Sequence, residues 1–195
     1  GEPAFQLNED RKWICAVGRL STEKGFDRLI GGFALVAERF PDWNLAIVGD
    51  GPARKELELQ IAGFGLTDRV QLTGWVEKPW PSLSSADVFV LPSRYEGFPN
   101  ALLEAMARGK ACVAVECPSG PAEIIRQGEN GLLVAGGNDE EIEAEIGEAL
   151  DKLLGSEGLR ETLGKNAEGV LDVFSVERHF ACLLYTSPSP RDLWI

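Results

Sequence analysis

The 195-residue chain is poor in several residue types on which particular chemistries depend. It has one histidine, four cysteines, 19 lysines and arginines against 31 acidic residues, and no Asp-x-Asp triplet. The missing triplet removes the simplest carboxylate arrangement for holding a divalent cation, so no metal ligands are predicted. The net charge of -12 argues against a nucleic-acid partner, because duplex binding rests on lysine and arginine neutralising phosphates. It does not oppose a small anion held locally by one or two cations. Cys15, Cys112, Cys117 and Cys182 have neither zinc-site spacing nor the density of a disulfide scaffold. Cys15 and Cys112 lie in apolar runs, where cysteine acts as a small hydrophobe, and a reducing, cytoplasmic setting is expected. No apolar run approaches the roughly 18 residues that span a bilayer, and no charged-then-apolar leader opens the chain. Membrane contact is therefore expected to be at most peripheral, at the inner face. His179 falls in a late helical segment and reads as a surface or packing residue.

What is present is the composition of a globular domain, with 44% hydrophobic and 26% charged residues. Short β-branched runs at 13–17, 45–48, 70–73, 88–91, 111–115 and 132–134 alternate with amphipathic stretches. Phe26, Leu29, Ile30, Phe33, Ala37 and Phe40 recur at three- and four-residue steps, which predicts a helix ending where Pro41 breaks the pattern. Further helices are predicted over 53–64, 81–86, 100–108, 121–127 and 139–154. This order predicts an α/β fold, a doubly wound Rossmann-like parallel sheet of about six strands with helices on both faces. Residues 1–11 carry no periodicity and read as a linker. Residues 185–195 read as a non-native tail, similar to translated adapter sequence.

Ligands of open α/β sheets bind beyond the carboxyl ends of the strands, so the segments after each strand carry the functional signal. After the first strand comes Gly18-Arg19-Leu20-Ser21-Thr22-Glu23-Lys24-Gly25. A preorganised guanidinium and ammonium there can stabilise a departing diphosphate, although two loop cations also fit an ordinary solvated turn. After the second strand comes Gly49-Asp50-Gly51-Pro52, a partial dinucleotide fingerprint without its third glycine, which disfavours a dehydrogenase. After the fourth strand come Glu96, in a loop, and Glu104, on the helix that Pro99 opens. Carboxylates accept paired sugar hydroxyls, but two glutamates at this spacing are also common by chance.

The run Glu96-Gly97-Phe98-Pro99-Asn100-Ala101-Leu102-Leu103-Glu104-Ala105-Met106-Ala107 resembles the donor site of glycosyltransferase family 4. So do Val17-Gly18-Arg19-Leu20 with Lys24-Gly25, Val48-Gly49-Asp50-Gly51-Pro52, and Gly120-Pro121-Ala122-Glu123-Ile124-Ile125 followed by Gly128-Glu129-Asn130-Gly131-Leu132-Leu133-Val134. They occur in the family's order across most of the chain. The resemblance implies the C-terminal half of a GT-B fold, with residues 12–184 binding a UDP- or GDP-linked hexose. It implies a retaining, metal-independent transfer, no cofactor beyond the nucleotide-sugar donor, and a glycan or lipid-linked acceptor. By the same resemblance Arg19, Lys24 and Glu96 are the catalytic candidates. Gly18, Arg19 and Lys24 would hold the diphosphate, and the amides of Gly97, Phe98, Pro99 and Asn100 would meet sugar hydroxyls or phosphates. Ala101 and Leu103 complete the helix start, and Glu104 would take the ribose. The base would pack near Trp75 and Val76, where Trp75 also fits plain surface packing.

The family's acceptor site lies on an N-terminal domain, so that domain is expected to be missing and the chain to bind a donor without transferring it. A non-catalytic nucleotide-sugar-binding module and a sugar-nucleotide epimerase of the same architecture are the competing expectations. The epimerase would need proton-transfer groups that no motif supplies.

Overall fold

The computed structural model describes residues 5–118 and 120–174. Six strands form one parallel sheet: β1 (Lys12–Val17), β2 (Trp43–Val48), β3 (Val70–Leu72), β4 (Val88–Leu91), β5 (Ala111–Val115) and β6 (Leu132–Val134), in spatial order β3-β2-β1-β4-β5-β6. The expected doubly wound Rossmann-like sheet is therefore present. β1 and β4 are neighbours, yet the chain leaves β1 toward one edge and leaves β4 toward the other. Their following loops diverge, and a crevice opens between them at the topological switch point.

Burial on both faces makes the strands nearly continuous apolar runs. Ile14, Ala16, Leu45, Ile47, Val88, Val90 and Val113 face one core. Cys15, Ala46, Val48, Phe89, Leu91 and Cys112 face the other, as the two-residue pleat requires. The first face is covered by α1 (Phe26–Val36), α2 (Arg54–Gly63), α5 (Asp139–Leu154) and α6 (Glu157–Ala167); α3 (Asn100–Met106), α4 (Pro121–Ile124) and α7 (Val170–Val173) lie on the second. α5 begins with a capping box in which Asn138 and Glu141 satisfy each other's backbone amides.

Several expected boundaries are corrected. The first helix stops at Val36 rather than Phe40: Pro41 has no amide to donate to the Ala37 carbonyl, and Arg69 donates to the carbonyls of Ala37, Phe40 and Trp43 instead. Residues 81–86 form consecutive turns, not a helix. Pro79 and Pro81 lack amide donors, and the backbone closes through short bonds such as Ser82 to Pro79 and Ala86 to Leu83. The helix expected over 121–127 ends at Ile124, where Ile125 turns extended. The supposed linker is partly docked: Leu7 is buried, Phe5 packs on the second core, and Trp13 Nε1 donates to the Asn8 carbonyl. α6 and α7 had no counterpart in the sequence reading. His179, Cys182 and the tail at 185–195 lie outside the described residues.

Candidate functional site

Three loops at the carboxyl rim are held against each other by backbone contacts. Gly18 N–H donates to Val48 O at 3.0 Å, and Leu20 N–H to Asp50 O at 3.0 Å. Only glycine fits two of the contacts. A Cβ on Gly49 would sit 1.8 Å from Gly18 O, and one on Gly25, whose φ is 67°, would sit 2.1 Å from Pro92 O. The glycines of Gly49-Asp50-Gly51 thus serve loop-to-loop packing.

The packed loops frame a cleft of about 440 Å³ whose walls include Gly18, Arg19, Lys24, Val76, Glu96, Phe98, Pro99, Asn100, Ala101 and Glu104. A second depression of about 390 Å³, sharing Val17, Gly18, Arg19 and Val76, continues over the end of β2 to Asp50 and Trp75. Two cations from one loop, and two carboxylates from a loop and a helix 72 to 85 residues further on, therefore converge on one crevice. Arg19 is exposed into it. Lys24 Nζ donates to Glu96 Oε1 at 2.7 Å, and the same oxygen accepts from Ser93 Oγ at 2.7 Å. Ser93 and Glu96 are both buried, at 1% and 5% exposure. An ammonium has three protons, and the Lys24 side chain is 31% exposed, so it can bond a ligand while still holding Glu96.

Glu104 reaches the cleft from α3 because Leu102, Leu103, Ala105 and Met106 point into the core and leave it on the outer side. Its carboxylate accepts a hydrogen bond from Trp80 Nε1. The amide of Asn100 is engaged by Phe98 O at 2.9 Å, whereas those of Gly97 and Ala101 have no hydrogen bond among the described residues. No group of three or more His, Cys, Asp or Glu among the described residues could hold a metal ion.

The family model described as glycosyl transferases group 1 matches residues 2–170. The chain belongs to that family. Among curated relatives of this glycosyltransferase chain, an exopolysaccharide phosphotransferase of Streptomyces coelicolor is 41% identical over 80% of the chain and 16% of its own length. Alpha-D-kanosaminyltransferase of Streptomyces kanamyceticus is 36% identical over 82% of the chain and 40% of its own length. The chain spans less than half the length of these relatives. Among solved structures, the C-terminal domain of the group 1 glycosyl transferase LpcC from Francisella tularensis superposes with a TM-score of 0.73, at 29% identity over 83% of this chain and 85% of that one. HepE of Anabaena in complex with UDP and glucose gives 0.75, at 26% identity over 91% and 49%. The fold is thus the Rossmann-like half of the GT-B architecture.

Within this glycosyltransferase domain most of the expected site residues share the cleft, with four departures. Leu103 is buried in the second core and does not line the cleft. Gly97 lies in a bend but without a left-handed φ, it does not line the cleft, and a Cβ there would meet nothing within 4 Å. Pro99 is the N-cap of α3 and has no amide to offer, and the Asn100 amide is already engaged. Trp75 lines only the adjoining depression, with its side chain 74% exposed.

Ser93 and Trp80 were missed. Ser93 had a weak signal as a small hydroxyl residue in the loop after β4; Trp80 had none, because its partner lies 24 residues away. Arg94 was missed as well. Its guanidinium makes two bonds to the Asp27 carboxylate at 2.8 and 2.6 Å, one to Asp139 at 3.0 Å and one to Thr22 O at 2.8 Å. The Asp27 carboxylate, ahead of Asp139, holds the Arg94 pKa above its ordinary value. Hydrogen bonds from Arg94 and then Arg28 hold the Asp139 carboxyl below its own. The clamp ties the loop carrying Glu96 to the one carrying Lys24, as do the amides of Arg94 and Tyr95 bonded to Glu23 O.

Proposed function

We propose that the chain is the donor-binding half of a retaining, metal-independent glycosyltransferase that takes a nucleotide-activated hexose. The observation carrying this reading is the convergence of Arg19, Lys24, Glu96 and Glu104 on one cleft at the β1/β4 switch point. Arg19 and Lys24 bind the diphosphate and stabilise the charge that develops as it departs, the role a metal ion plays elsewhere. Glu96, fixed by Lys24 and Ser93, sits beside the transferred sugar and supports positive charge at its anomeric carbon. The amides of Gly97 and Ala101 meet sugar hydroxyls or phosphate oxygens. Glu104 accepts the ribose hydroxyls, and the base lies in the depression beside Trp75 and Val76. The complex of HepE with UDP and glucose supports a donor of this chemical class.

Transfer needs an acceptor, a glycan or a lipid-linked sugar, bound on a partner domain in this reading, so the chain alone binds donor and turns over none. It works in the cytoplasm, with at most peripheral contact at the inner membrane face; no helix among the described residues is long and apolar enough to cross a membrane. Calorimetric titration of the folded chain with UDP- and GDP-sugars is expected to give saturable binding to one series, and heats of dilution alone would count against the reading. Lys24→Ala is expected to weaken UDP or GDP by about tenfold or more, as the loss of a charge-assisted bond does, and to leave the free nucleoside unchanged. Equal loss for both ligands would refute the assigned role.

A further inference from the structure

An exposed glutamate on a helix samples several side-chain rotamers, and freezing one on a ligand costs entropy at the moment of binding. Glu104 departs from that situation. Its Oε2 accepts the indole N–H of Trp80, and among the described residues the carboxylate has no other hydrogen-bond donor and no ion pair. The indole is itself fixed. It is 8% exposed, its ring lies 5.9 Å from that of Phe89, and the Arg108 guanidinium stands 4.8 Å over its face. Arg108 lies one turn after Glu104, where an ion pair with that carboxylate is the usual arrangement. It bonds the main-chain O of Glu104 at 2.8 Å instead, leaving the carboxylate charge to the cleft.

We propose that Trp80 is the positioning residue for Glu104, and that its indole N–H, by fixing the carboxylate, sets the preference of this site for a ribonucleotide over a deoxyribonucleotide. The inference rests on the assignment of Glu104 to the ribose hydroxyls made above. With one lone pair of Oε2 taken by the indole, the second lone pair and the whole of Oε1 remain. That leaves one acceptor for each hydroxyl of a vicinal diol, held in a plane set before the ligand arrives. A nucleotide lacking the 2′-hydroxyl loses one of these charge-assisted bonds.

The test compares UDP with 2′-deoxy-UDP by calorimetry on the full chain and on Trp80→Phe; GDP and 2′-deoxy-GDP replace them if GDP is the tighter ligand. Phenylalanine keeps an aromatic ring against Phe89 and beneath Arg108 while removing the donor together with part of the indole's volume. The unsubstituted chain is expected to prefer the ribonucleotide by about tenfold or more. In Trp80→Phe the preference should shrink to within about threefold of unity, with affinity for the deoxynucleotide nearly unchanged. General damage would instead weaken both ligands alike and leave the ratio where it was, which overturns the role of Trp80 while the donor-site reading stands. A folded unsubstituted chain that binds both nucleotides equally overturns the assignment of Glu104 and this inference together, and one that binds neither overturns the donor site as well. Should Trp80→Phe fail to fold, the indole N–H of Trp80 in the unsubstituted chain decides by NMR. Slow solvent exchange and a larger shift with UDP than with 2′-deoxy-UDP support the proposal. Exchange as fast as that of exposed Trp75, or equal shifts, contradicts it.

Discussion

Single atoms decide what several positions can do. Gly97 has no left-handed φ and no neighbour that a Cβ would strike, so the space its missing side chain leaves is open to a ligand. Gly97→Ala is therefore expected to melt within a degree or two of the parent, about the scale of a neutral surface change, while donor affinity drops by about tenfold; unchanged affinity would remove the loop backbone from the site. The buried thiols make a second case. Burial pushes the Cys15 thiol up to about 12 and raises Cys112 as well, so neither supplies the nucleophilic thiolate at neutral pH. Mass mapping after maleimide treatment of the folded chain should find partly exposed Cys117 labelled and Cys15 and Cys112 protected until denaturant is added. Rapid labelling of Cys15 would mean that the sheet opens far more easily than its burial implies.

Among the elements, α1 and α5 approach closely through glycine, and two adjacent glycines predict opposite outcomes. A Cβ on Gly31 would meet only the carboxylate end of Glu143, at 2.5 Å, which can swing away. One on Gly32 would stand 2.6 Å from Ile146 Cγ2 and 3.0 Å from the Glu143 main-chain O. Replacing a mid-helix glycine with alanine gains up to about 1 kcal/mol of helix propensity, whereas overpacking costs about 1–3 kcal/mol. Gly31→Ala should be neutral or mildly stabilising and Gly32→Ala destabilising in denaturant titrations; the reverse order would mean that the helices are not packed as described.

The Arg94 clamp is the other inter-element device. The Asp139 carboxyl is depressed below its ordinary value, so the stability it contributes is complete above the unfolded value near 3.9. That contribution disappears as pH falls through the lower folded value. Asp139→Asn should lower the melting temperature at pH 7, with the gap closing below about pH 4; a gap independent of pH would contradict the linkage. Helix and strand positions were mostly legible because their periodicities are local. The end of α1 was legible to within about a turn, because Pro41 breaks the ladder; the Arg69 guanidinium that takes its last carbonyls, 33 residues beyond Val36, was not. The turns at 81–86 imitated a helix because Leu83 and Ala86 are spaced as one helical turn would space them, yet they are buried from a backbone that two prolines keep irregular.

For the molecule as a whole, the strand order determines where a ligand can sit; alternating strand and helix signals were enough to anticipate a doubly wound sheet with its ligand beyond the carboxyl ends, but not the order itself. The loops bearing Arg19, Lys24 and Glu96 stood out because they follow strands, but charge beside glycine left their roles open, and only the resemblance to a known family assigned them. What escaped was the set of supporting contacts, Ser93 on Glu96, Trp80 on Glu104 and Arg94 on Asp27 and Asp139, each a pairing of side chains that no spacing announces. The molecule also has a larger cavity of about 590 Å³ between residues 5–10 and 81–85, before β1 and β4 and so at the opposite rim of the sheet. The two rims make different predictions for one measurement, a crystal structure of the chain with UDP. The diphosphate is expected within hydrogen-bond reach of Arg19 and Lys24, with the ribose on Glu104. UDP bound in the cavity beside residues 5–10 and 81–85, with Arg19 and Lys24 untouched, would contradict it.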